Sequence, residues 1–118
     1  MRHAEAAPGM PDESRRLTPY GEASLRNRPA GLQLFLDEVT HIFVSPYQRT
    51  QQTLNNLLPE RDSDTLDLIT PEGEPGAVLD FLQTLPDESS VLLVTHMPLV
   101  GRLFSLLVEG NSRFGVGF

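Results

Sequence analysis

Three short stretches carry the residue types best suited to chemistry: Arg2-His3-Ala4-Glu5-Ala6, Ser45-Pro46-Tyr47-Gln48-Arg49-Thr50-Gln51-Gln52-Thr53, and Thr95-His96-Met97-Pro98-Leu99-Val100. A guanidinium presents a flat fork of N–H donors that matches phosphate or carboxylate, and an imidazole can serve as nucleophile, base or donor. A phosphoryl group carries nearly two negative charges, which must be held while an in-line nucleophile approaches, and two arginines with two histidines supply what that needs. Each stretch alone also has a plainer reading. An Arg-His pair near a terminus is ordinarily solvated surface, His96 could be a core histidine satisfied by backbone, and Arg49 could pair with a carboxylate such as Glu5 or Asp67. Ser45 lacks a Gly-x-Ser-x-Gly elbow and precedes Pro46, so it reads as a turn former or a secondary phosphate donor rather than a nucleophile.

The elements that must position these residues follow from pattern. Val91-Leu92-Leu93-Val94 is apolar on both faces, as a central parallel strand should be, and Thr95-His96 falls at its carboxyl end. Val39 to Val44 gives a second strand ending at Ser45-Pro46, with an amphipathic helix from about Tyr47 to Leu58. Thr18 with Pro19 signals a helix start, and Leu25, Leu32 and Phe35 or Leu36 continue its face, although Pro29 should kink or split it. Leu66 to Ile69 alternates like a brief strand. A loop at Pro71 to Gly76 leads into a helix carrying Val78, Leu79, Leu82 and Leu85. From Pro98, Leu99, Leu103, Leu106 and Leu107 form a helical stripe ended by Glu109-Gly110-Asn111. Strands alternating with helices predict a single α/β domain over residues 1–118, a three-layer α/β/α arrangement on a mainly parallel sheet. Ligands of such sheets bind at the carboxyl ends of strands, where Arg2-His3, Ser45 and Thr95-His96 all fall.

Composition narrows the partners. The net charge is −7, with no basic run, which argues against a nucleic-acid or anionic-membrane surface, so any anion site must be local. All nine cationic Lys or Arg positions are Arg. The absence of cysteine excludes disulfides, thiolate catalysis and Cys-based zinc sites. His3, Glu5, His41 and His96 lack metal-ligand spacing, and Arg2 and Arg49 would repel a cation, so neither metal nor other cofactor is expected. His41 reads as structural or surface, and Glu60 to Asp64 as a solvated acidic loop. No cationic apolar leader or uninterrupted membrane span is seen, and a cytoplasmic location is expected.

The three stretches, taken in order, resemble the histidine phosphatase superfamily, the phosphoglycerate mutase-like phosphatases. The Ser-Pro-x-x-Arg-x-x-x-Thr and His-x-Pro-Leu-Val forms are most similar to its SixA type. The resemblance runs from Met1 to about Val108. It implies that His3 is the nucleophile, forming a covalent phosphohistidine intermediate, that Arg2 and Arg49 clamp phosphoryl oxygens, and that His96 adds a charge-assisted donor. Larger members use a carboxylic acid for the leaving group, and Glu72 and Glu74 are the candidates here. The implied activity is phosphohistidine phosphatase, by a monomer acting on the phosphotransfer domain of a histidine kinase. The alternatives are a small-molecule phosphomonoesterase or mutase of the same superfamily, and a non-catalytic phosphate-binding fragment.

The chain departs from that pattern at its ends. Members carry a hydrophobic strand before the Arg-His pair, where only Met1 precedes Arg2, and further strands beyond the loop at Asn111 to Gly117. The expectation is a fragment lacking the first strand and the last strands, with unpaired backbone where the central strand belongs. Ala4 stands where many members have Gly, which is tolerable if its φ is negative.

Overall fold

The computed structural model describes residues 1–26 and 30–110; Pro29 and the loop at Asn111 to Gly117 lie outside the described residues. Helices α1 (Pro19–Arg26) and α2 (Ala30–Glu38) come first, followed by β1 (His41–Val44), α3 (Gln48–Leu57), β2 (Asp64–Thr65), α4 (Pro75–Leu82), β3 (Val91–Val94) and α5 (Leu99–Gly110). The three strands form one parallel sheet in the order β2-β1-β3.

Strand alternation divides the core into two layers. Ile42 and Val44 of β1 and Leu92 and Val94 of β3 face one way, onto Leu25 of α1, Leu36 of α2 and Leu54 and Leu57 of α3. Phe43 faces the other way with Leu93, onto Val78 of α4 and Leu99, Leu103 and Leu107 of α5. Both faces of the sheet are therefore covered by helices, and the expected three-layer α/β/α arrangement is what forms.

The helix ends follow their local chemistry. The Thr18 hydroxyl accepts from the Gly21 N–H at 2.9 Å, capping α1 with Pro19 in its first position. The Glu74 carboxylate caps α4 through the Gly76 N–H at 3.3 Å, with Pro75 behind it. At the end of α2, Arg61 donates to the carbonyls of Leu36 at 3.1 Å and Val39 at 2.6 Å, using a guanidinium to satisfy acceptors that the helix leaves open.

Two expectations change. The second parallel strand of the middle region is Asp64–Thr65, and residues 67–69 form a single 3-10 turn instead of the strand read from Leu66 to Ile69. Ile69 is fully buried and Leu66 packs on the same core, whereas Leu68 is 38% exposed; the inward positions are three apart, the spacing of a turn and not of a strand. At the N-terminus, Met1 to His3 run alongside the carboxyl end of β3. Met1 N donates to Leu93 O at 2.5 Å, Thr95 N to Met1 O at 2.8 Å and His3 N to Thr95 O at 3.0 Å. Arg2 and Thr95 thus form a parallel bridge, and this short pairing aims His3 from the carboxyl end of β3.

Candidate active site

The chain turns away from the sheet at His3 and returns at Leu17. Ala7 N donates to Arg16 O and Thr18 N to Glu5 O, and Ala6 bridges Leu17 antiparallel, so the excursion 8–15 is closed at its neck. Gly21 of α1 packs so tightly on the Glu5 backbone that a Cβ there would collide with the Glu5 carbonyl. Within the excursion, Asp12–Ser14 forms a 3-10 turn that leans on α3.

His3 is held from two sides. The Ala4 N–H next to it donates to Thr53 Oγ1 at 3.0 Å, and the same hydroxyl donates to Arg49 O at 2.8 Å, tying the His3 segment to α3. His3 Nδ1 lies 2.6 Å from Ala4 O; a carbonyl only accepts, so the proton sits on Nδ1 and the lone pair on Nε2. No described non-glycine residue has a positive φ, so Ala4 sits without strain.

Arg49, in the first turn of α3, is 4% exposed. Its Nε donates to His3 Nε2 at 3.2 Å, one terminal nitrogen to Asp12 O at 2.8 Å and the other to Asp12 Oδ2 at 3.2 Å, while its carbon lies 5.0 Å from the Tyr47 ring centre. The carboxylate beside Arg49 is thus Asp12, and neither Glu5 nor Asp67. The Arg15 guanidinium, and after it Arg49, hold the Asp12 carboxyl below the usual range.

His96 leaves the end of β3 and is 1% exposed. Its ring lies 5.3 Å from that of His3 and 5.0 Å from that of Tyr47, edge to face in both cases. Its Nε2 meets the buried Ser45 hydroxyl at 2.7 Å, and its Nδ1 is buried with no hydrogen-bond partner among the described residues. Ser45 Oγ also accepts from Tyr47 N at 3.3 Å, and its one proton and remaining lone pair match either tautomer of the His96 ring. Burial, with Arg49 and His3 adding to it, pushes the His96 pKa down to about 3. Burial likewise lowers His3, reinforced by Arg49, Arg2 and Arg15. Both imidazoles are therefore neutral in the empty site: a buried imidazole beside a guanidinium does not take a proton until an anion arrives.

The predicted set is brought together, with different neighbours for its members. His3, Arg49 and His96 form one contact cluster, and Arg2 lies exposed next to His3 with its charge acting on that ring. Ser45 is fully buried beneath His96, so it acts on that imidazole. Glu72 is exposed and its charge raises the pKa of Tyr47, after the larger effects of burial, Asp12 and Glu13. Glu74 is taken up in capping α4. His41, at the amino end of β1, stacks on Phe43 away from the site. Asp12, Thr53 and Tyr47 were not singled out from sequence. Asp12 sits in a charged run that resembles any solvated loop, and only the Arg49-x-x-x-Thr53 spacing, one helical turn, hinted at Thr53.

No family model matches the chain. It is 36% identical to the phosphohistidine phosphatase SixA homolog of Haemophilus influenzae, over 91% of this chain and 74% of that one. It is also 36% identical to the phosphohistidine phosphatase SixA of Escherichia coli, over 95% of this chain and 74% of the relative. A solved structure of the protein histidine phosphatase SixA complexed with tungstate superposes with a TM-score of 0.80 at 36% identity, covering 91% of this chain and 73% of that one. The chain belongs to the SixA-type histidine phosphatases. Its α/β fold with a parallel sheet is that of the family, and the resemblance carried by Arg2-His3, Ser45 to Thr53 and His96 to Val100 is a true relationship.

Proposed function

We propose that this chain removes phosphate from phosphohistidine on a protein, with His3 as the nucleophile. The observation that carries this reading is the pairing of His3 Nε2 with Arg49 Nε at 3.2 Å, beside the ring of His96 at 5.3 Å. A lone pair faces a phosphate-binding guanidinium, and a second imidazole stands across from it. The names of the curated relatives point to the same chemistry.

In the reaction, phosphoryl oxygens take donors from Arg49 and Arg2, and His96, protonated as the anion arrives, donates from Nδ1, which has no other partner among the described residues. The incoming dianion favours protonation of His96, which strengthens that bond. His3 Nε2 attacks phosphorus, the bond from phosphorus to the substrate imidazole breaks, and that imidazole takes a proton from solvent as it leaves. Water then attacks the phosphoryl group on His3, the P–N bond to His3 breaks, and inorganic phosphate departs with His3 neutral again. An imidazole leaves more readily than an alkoxide, so a dedicated acid is dispensable; among the two candidates, Glu72 is the one whose charge reaches Tyr47, while Glu74 is engaged at α4.

The finer reading is a partner such as the phosphotransfer domain of a histidine kinase, met by a monomer in the cytoplasm. No described helix is long and apolar enough to cross a membrane. A substrate panel tests the assignment: a phosphohistidine protein should turn over faster than phosphoserine peptides or sugar phosphates. Preference for a sugar phosphate would move the chain to the metabolite phosphatases, and phosphate binding without any turnover would make it a binding fragment.

A further inference from the structure

Asp12 sits where it can oppose the anion the site is built to hold. Its carboxylate accepts from Arg49 at 3.2 Å through Oδ2 and from Arg15 at 3.0 Å through Oδ1, so it bridges two guanidinium groups whose charges both act on His3. Arg49 therefore has donors committed to His3, to the Asp12 carbonyl and to the Asp12 carboxylate at the same time. The two partners differ in freedom. The Arg49 side chain is 5% exposed and fixed by its packing on Tyr47, whereas that of Asp12 is 47% exposed at the start of a short 3-10 turn.

We propose that Asp12 is a specificity-determining latch, an internal carboxylate that occupies the Arg49 fork in the empty site and must yield to an incoming phosphoryl group. The idea rests on the phosphate-site reading above. Any oxyanion that docks on Arg49 either displaces the Asp12 carboxylate or lies beside it, and both cost affinity through lost ion pairing or like-charge repulsion. Inorganic phosphate, held only by the site itself, bears that cost in full. A phosphoryl group presented by a protein has further contacts outside the pocket with which to offset it. The latch thus keeps free phosphate, which is also the product, from filling the site, and it hands Arg49 back a partner when phosphate leaves. Arg49 remains placed without the carboxylate, because His3 Nε2, the Asp12 carbonyl and the Tyr47 face still hold it.

Equilibrium binding of inorganic phosphate, followed by titration calorimetry and by phosphorus NMR on the full chain, tests this apart from turnover. Asp12→Asn should bind phosphate roughly threefold to tenfold more tightly than the parent, the scale of a partly exposed ion pair, with Asp12→Ala showing the same sign. Asp12→Glu should stay close to the parent. Glu13→Gln, which removes an equal charge from the same turn, should change affinity less than twofold. In kinetics with a phosphohistidine protein, the inhibition constant for phosphate should fall by the same factor in Asp12→Asn. Phosphate affinity that is unchanged or weaker in both Asp12→Asn and Asp12→Ala would overturn the latch, as would an equal gain in Glu13→Gln. Arg49→Gln separates the two ideas: if it abolishes phosphate binding while the Asp12 variants change nothing, the phosphate site stands and the latch falls, and if the parent binds no phosphate at all, both fall.

Discussion

Arg49 Nε donates to His3 Nε2 across 3.2 Å, so the group proposed to clamp phosphate also holds the lone pair proposed to attack it. This bond spans two distant parts of the sequence and exists because α3 begins at the carboxyl end of β1 while His3 is pinned beside the carboxyl end of β3. Arg49→Lys keeps the charge but has no planar fork with which to contact His3 and phosphate together. We expect kcat/KM to drop roughly a hundredfold or more, measured by steady-state kinetics on a phosphohistidine protein, with the fold retained by circular dichroism.

Thr53 joins the two parts from below. Its hydroxyl accepts from Ala4 N and donates to Arg49 O, and it is fully buried. Thr53→Val keeps the volume and leaves the Ala4 N–H without its partner, at a cost of about 1–3 kcal/mol in a urea melt. Because it acts through the aim of His3, kcat should fall more than KM changes, and Thr53→Ser should restore much of the rate.

Ser45 supports His96 in a similar way. Ser45→Ala removes the hydroxyl from His96 Nε2 at 2.7 Å and with it the hydrogen bond that orients the ring. We expect about a tenfold loss of kcat and no loss of the phosphorylated intermediate, since His3 is untouched. A serine nucleophile, by contrast, would leave Ser45→Ala wholly inactive.

Acid should weaken the fold through its buried imidazoles. Burial lowers the His96 pKa from 6.5 to about 3 and lowers that of His3 as well. The unfolded chain therefore binds more protons below about pH 6.5, so the stability these rings contribute as neutral groups is whole above that pH and is lost as pH falls toward the folded values. Urea midpoints should decline between pH 7 and pH 5 by the equivalent of roughly 1–2 kcal/mol. His96→Asn should flatten that decline; an equally steep slope in the variant would contradict the neutral buried His96.

Much of this site was legible because its chemistry is written in short runs. Ser45-Pro46 and Thr95-His96 each follow a strand that reaches the same end of a parallel sheet, and that rule gathers Arg49 and His96. What sequence could not show was set by packing at long range. Asp12 reaches Arg49 only because the neck at Ala6 and Leu17 folds the excursion back over α3. The neutral state of His96 depends on how completely it is buried, and the short second strand was misplaced because Leu66 and Ile69 face one core at turn spacing. The pairing of Met1 to His3 with β3 likewise comes from backbone bonds that carry no side-chain signal.

The central claim is that phosphate passes through His3. Rapid quenching of the reaction with a labelled phosphohistidine protein, followed by peptide mapping under alkaline conditions that preserve phosphohistidine, reads this directly. The account predicts acid-labile phosphate on the peptide containing His3, and neither label nor turnover in His3→Ala. A label found on His96 instead, or a His3→Ala chain that works at the full rate, would contradict it.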